Sequence, residues 1–234
     1  MTRHRLQRLE SPSRTLSLLL HIAGLCSFFA SFQFLSTLTH EISMGFGGNY
    51  QHLTNIGLIL SAVTFATGIL ADITLSNKLF VIKNALSTTT APLEVLISIL
   101  YWGIRSIDER LLMPEGFELH WLPDIGFHLI PAVVLTLDLI FFSPPWTIRA
   151  YSAMAVSMAF AFLYWGWVEL CFSKNGSYPY PIFAILNTAQ RVGLFTFSAM
   201  LMTASTILLK WVYGWVNGFE RLEKEAYKPL KKTL

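Results

Sequence analysis

Six apolar stretches, each close to the length of a bilayer crossing, dominate this 234-residue sequence. They occupy residues 15–38, 52–73, 88–104, 125–142, 150–170 and 182–212. A helix needs about 20 apolar residues to cross the hydrocarbon core, since each residue advances the chain by about 1.5 Å. Lipid offers no partner to an unpaired backbone N–H or C=O, so runs of this length without alternation fold as helices. Charge agrees. Only 13% of the residues are charged, against about 25% in soluble domains, and the mean hydropathy is +0.51. The expected fold is all-α, a polytopic membrane protein with six transmembrane helices. A disordered chain, a disulfide scaffold and a cytosolic globule are disfavoured, and the two cysteines, Cys26 and Cys171, form no CxxC pair.

Orientation follows from where the cations fall. The N-terminal tail carries Arg3, Arg5, Arg8 and Arg14. Lys78 and Lys83 lie between spans two and three, and Arg149 lies between spans four and five. The C-terminal end adds Lys210, Arg221, Lys224, Lys228, Lys231 and Lys232. The opposite connections hold Arg105, Arg110 and Lys174. Positive charge stays on the cytosolic side, so both termini are expected there, as an even number of spans requires. Residues 1–14 then form a basic cytosolic tail, 15–216 the membrane domain and 217–234 a second basic tail. The first span lacks a small-residue cleavage site, so it reads as a retained helix rather than a signal peptide. The final Lys231-Lys232-Thr233-Leu234 looks like a dilysine retrieval signal of the endoplasmic reticulum membrane; a basic tail drawn to anionic lipid is the alternative. The net charge of +3 thus points to membrane lipids as partners and not to nucleic acid.

Ionisable side chains inside the spans cost about 2.5–3.5 kcal/mol each at the bilayer centre, which makes them functional candidates. They are His21, Asp72, Glu94, His128, Asp138, Glu169 and Arg191. Depth gathers Thr54, His128, Glu169 and Arg191 in the luminal half, and Asp72, Glu94 and Asp138 toward the cytosolic half. Thr54 and His128 suit a nucleophile and its base. Their alternatives are a threonine bonded to the Tyr50 carbonyl and a satisfied interfacial histidine. Asp124 stands four residues before His128, placed to orient the imidazole or to serve the helix start. Glu169 and Arg191 also suit a structural ion pair. Gly47 and Gly48 permit close backbone approach ahead of Thr54, and Pro131 kinks span four beside His128. No HExxH is present, and no metal or cofactor is expected.

The run Gly47-Gly48-x-x-x-x-Leu53-Thr54, Ala91-Pro92-Leu93-Glu94, Trp121-Leu122 ahead of His128, and Tyr180-Pro181 before span six occur in a familiar order. In these features, over about residues 15–216, the chain resembles the androgen-induced / androgen-dependent tissue-factor-pathway-inhibitor-regulating protein family. The resemblance implies an integral-membrane threonine hydrolase that cleaves fatty acid esters of hydroxy fatty acids. Thr54 would be the nucleophile and His128 the base, through an acyl-threonine. Where family sequences often carry a further histidine shortly before the essential one, this chain has Asp124 or Ile125. For such a substrate, Arg191 is the expected carboxylate contact with Glu169 beside it, and Gly47, Gly48 and Asn55 are the expected oxyanion donors. The rival readings are a small channel or transporter, whose flux would survive Thr54→Ala, and a non-catalytic membrane adaptor.

Overall fold

The computed structural model describes residues 10–37, 44–113, 119–144 and 149–218. Arg3, Arg5, Arg8, the C-terminal basic residues from Arg221 onward and the Lys231-Lys232-Thr233-Leu234 ending lie outside that set. The described chain is helical, without a strand. Its helices are α1 (Leu16–Thr37), α2 (Leu53–Thr74), α3 (Asn77–Ile107), α4 (Trp121–His128), α5 (Ile130–Phe142), α6 (Ala150–Asn175), α7 (Pro181–Ile185) and α8 (Thr188–Asn217).

Local chemistry sets the boundaries. A 3-10 turn at Gly48–Gln51 leads into α2, with Gly47 and Gly48 at positive φ (86° and 50°), where a side chain would be strained. The Ser76 hydroxyl caps α3 by accepting from the Leu79 N–H. Pro131 cannot donate to the carbonyl of Phe127, so α4 gives way to α5 at Leu129. Asn187 and Gln190 form a reciprocal capping box that opens α8.

Among the described residues, five segments are long and apolar enough to cross a membrane: Leu16–Thr37, Leu53–Thr74, Trp121–Phe142, Tyr151–Asn175 and Thr188–Asn217. They match five of the six expected spans. The remaining one, 88–104, lies inside α3. This helix runs 31 residues and includes Lys83, Glu94 and Arg105 with several serines and threonines. Its polarity is internal, because α3 is the hub of the bundle and packs against α2, α5 and α8.

Lipid is as apolar as leucine, so burying hydrophobic surface does not by itself drive these helices together. Shape and interhelical polar contacts must. Phe28, Leu58, Phe65, Leu135 and Leu139 interlock between α1, α2 and α5, while Leu93, Leu96, Ile97 and Met202 join α3 to α8. Among them, Glu94 accepts from the Ser61 hydroxyl at 2.7 Å. A polar cluster sits where α2 ends and α3 begins. Asp72 accepts from His21 (2.9 Å) and Ser17 (2.8 Å). Asp138 meets the other ring nitrogen of His21 (3.0 Å), Lys83 at 2.9 Å through both oxygens, and Ser87 (3.2 Å). All six side chains are at most 1% exposed. Lys83 was expected in a loop; it lies instead on α3, because that helix begins at Asn77 and carries the ammonium into the bundle.

Candidate active site

A cavity of about 820 Å³, partly open to its surroundings, lies among α2, α3, α6, α7 and α8. Its walls are aliphatic and aromatic, and no charged residue lines it among the described residues. The hydroxyls are few. Thr54, Tyr101, Tyr164 and Tyr180 contribute four, with Ser157 and Ser198 on other stretches of wall.

Thr54 sits in the first turn of α2. Ser61, Thr64, Thr67 and Thr74 on the same helix each bond the carbonyl one turn back. Thr54 does not follow them, since residue 50 belongs to the 3-10 turn; its side chain interacts with the Tyr180 hydroxyl. The Tyr180 oxygen also accepts the Leu53 N–H at 3.0 Å. Beside it, Tyr164 donates its proton to the Gln51 carbonyl at 2.8 Å. Tyr180 lies between the spans, where burial pushes its phenol above the ordinary value while the Thr54 side chain and the Leu53 N–H pull it back. The proton therefore stays on the oxygen at neutral pH.

His128 closes α4 and is 7% exposed. Its Nδ1 faces two acceptors, Asp124 Oδ1 at 2.9 Å and the Asp124 carbonyl at 3.1 Å. A carbonyl only accepts, so Nδ1 carries the hydrogen and Nε2 keeps its lone pair. Nε2 makes no hydrogen bond among the described residues. The imidazole lies flat on the Tyr101 ring, with centroids 3.4 Å apart and planes within 3°. Tyr101 is part of the cavity wall. The structure thus brings Thr54 into the cavity and His128 against the back of one wall residue. Asp124 stands in the first turn of α4, as a helix-start acid would, while His120 is the N-cap; the second Asp124 oxygen pairs with Arg105.

The other expected site residues take different positions. Arg191 pairs with Glu169 at 3.2 Å and lies over the Tyr178 ring, 4.9 Å from its centroid. Glu169 is further held by Trp165 and Tyr178, each at 3.0 Å. Neither Arg191 nor Glu169 lines the cavity, although Arg191 keeps a buried Nε without a hydrogen bond. Asn55 donates to the Asn49 carbonyl at 2.7 Å, and the Gly48 N–H goes to Gly45 at 3.0 Å. Gly47 packs toward α6, where an added Cβ would meet Cys171 and Gln51 at 2.9 Å. Tyr101 and Arg105 were not among the candidates. Their spacing of four residues places both on one face of α3, and Arg105 donates to the Tyr101 hydroxyl at 3.1 Å.

An all-helical bundle with bilayer-length segments, a buried ion network and an apolar cavity defines a multi-pass membrane protein. The chain belongs to the FAR-17a/AIG1-like protein family, whose model matches residues 16–214. It is similar to the UPF0641 membrane protein PJ4664.05 of Schizosaccharomyces pombe, with 34% identity over 207 residues, covering 87% of this chain and 92% of that protein. No solved structure matches the chain.

Proposed function

We propose that the protein is an integral-membrane hydrolase that cleaves fatty acid esters of hydroxy fatty acids through Thr54 and His128. The observation that supports it is a hydroxyl presented to an apolar cavity, with a histidine of defined tautomer behind the adjoining wall residue. His128 Nε2 takes the proton of Thr54 Oγ as that oxygen attacks the ester carbonyl. The ester C–O bond then breaks and the proton passes to the departing hydroxy acid; a water activated by His128 then cleaves the acyl–threonine bond, releasing the fatty acid and returning the proton to Thr54 Oγ. No hydrogen bond joins Thr54 to His128 among the described residues, so the step requires the substrate-bound site to bring Nε2 to Oγ past the Tyr101 ring. An apolar cavity suits the substrate because drawing each tail CH₂ into water costs about 0.8 kcal/mol. The proposal includes both termini in the cytosol and residence in the endoplasmic reticulum membrane.

Labelling of detergent-purified protein with a fluorophosphonate tests the chemistry. The expected result is an adduct on the peptide containing Thr54, absent from Thr54→Ala and much slower to form in His128→Ala. An adduct on another residue, or none with an active preparation, rejects the mechanism. Arg191 enters as the carboxylate contact, which requires the substrate to compete with Glu169. Arg191→Gln should then raise KM for the free acid far more than for its methyl ester. Equal losses would leave Arg191 as the structural partner of Glu169.

A further inference from the structure

Ester hydrolysis by Thr54 needs a donor for the carbonyl oxygen as it turns into an oxyanion. None of the donors first expected, Gly47, Gly48 and Asn55, lines the cavity, and two are bonded elsewhere: the Gly48 N–H to Gly45 and the Asn55 amide to Asn49. Tyr164 spends its proton on the Gln51 carbonyl at 2.8 Å. Tyr180 differs. Its oxygen accepts the Leu53 N–H at 3.0 Å and interacts with the Thr54 backbone N–H as well. Both N–H groups belong to the first turn of α2, where no intrahelical acceptor exists. Accepting from the Leu53 N–H polarises the phenol and turns its own proton toward its remaining neighbours. Those neighbours are the Tyr164 oxygen, whose own proton is held by Gln51, the Thr54 side chain and the cavity into which the substrate carbonyl would enter. The ring is held edge-on by His52, at 5.2 Å between centroids, and by Phe183 at 5.7 Å, so the hydroxyl is fixed in place.

We propose that Tyr180 is a catalytic residue that donates its O–H to the substrate's carbonyl oxygen, relaying the positive end of α2 to the developing oxyanion. The inference rests on Thr54 acting as the nucleophile. In the step, the Thr54 Oγ–carbon bond forms and the carbonyl π pair moves onto oxygen. Tyr180 stabilises that charge by a hydrogen bond and keeps its proton. Collapse restores the carbonyl and expels the hydroxy acid oxygen, which receives the proton held by His128.

Kinetics of Tyr180→Phe and of protein carrying 3,5-difluorotyrosine at position 180 provide the test, with melting temperature measured in parallel. Removing one oxyanion donor typically lowers kcat by roughly 10²–10³-fold. Tyr180→Phe is expected to lose that much with KM within about two-fold of wild type, and to label Thr54 correspondingly more slowly. The difluoro variant, which keeps the hydroxyl but changes its acidity, should fold normally and shift kcat. Wild-type kcat in a folded Tyr180→Phe overturns the assignment. Should that variant not fold, unchanged kcat in the difluoro protein overturns it equally. In either case a surviving Thr54 adduct in the wild type shows that the nucleophile stands while the donor role has failed; loss of the wild-type adduct itself would instead remove the underlying reading.

Discussion

Replacing Lys83 by methionine should destabilise the protein by about 3–5 kcal/mol, the cost of leaving a buried charge without its partner. Lys83 is wholly buried and bonds both oxygens of Asp138 at 2.9 Å and the Ser143 hydroxyl at 3.1 Å. Both His21 nitrogens face carboxylates, so the ring donates on each side, as an imidazolium does. Two carboxylates, one ammonium and one imidazolium then sum to zero. Removing Lys83 alone leaves one negative charge among α1, α2, α3 and α5, on side chains at most 1% exposed. The double variant Lys83→Met with Asp138→Leu removes one charge of each sign and keeps the His21–Asp72 pair. It should recover most of the loss, since apolar replacement of a buried pair is often neutral. Thermal unfolding in detergent reads the difference. A single variant as stable as wild type would show that this network does not carry its charges as described.

The second large effect is expected at Asp124. On the proposed mechanism, Asp124→Ala should lower kcat by roughly 10³-fold. An orienting aspartate in serine hydrolases is worth roughly 10⁴-fold. Here the backbone carbonyl of residue 124 also accepts from His128 Nδ1, at 3.1 Å, and survives the substitution. The tautomer is therefore retained, while the negative charge that stabilises the imidazolium is lost. Thr54 labelling should slow in step with kcat, and KM should change little. Undiminished kcat in a folded Asp124→Ala would reduce the carboxylate to a partner of Arg105 alone.

Several features were legible before any tertiary contact was known. Pro131 announces the break between α4 and α5, since its missing N–H leaves a carbonyl unserved wherever the helix lies. His21, Asp72, Glu94 and Asp138 announce themselves because lipid tolerates no solvated charge, and all four prove buried. Lys83 and Arg105 escaped notice for the complementary reason. Both flank an apolar stretch, and cations there read as loop residues until α3 is seen to run from Asn77 to Ile107. Asp124 was ambiguous at short range, since the same residue suits a helix start or an imidazole; the structure shows it in the first turn of α4 and bonded to His128, and the approach of Arg105 to its second oxygen is visible only in three dimensions.

What the amino-acid order determined alone is the class of molecule: helices of bilayer length, with a few costly polar groups among them. That follows from each segment's exchange with its solvent, which depends on local composition and length. Which of those groups meet was left to the tertiary structure. Pairing between helices depends on each helix's rotation and register against its neighbours, and residues far apart in sequence set these. Thus His21 finds Asp72 and Asp138, Arg105 finds Asp124, and Thr54 faces a phenol from the other end of the chain.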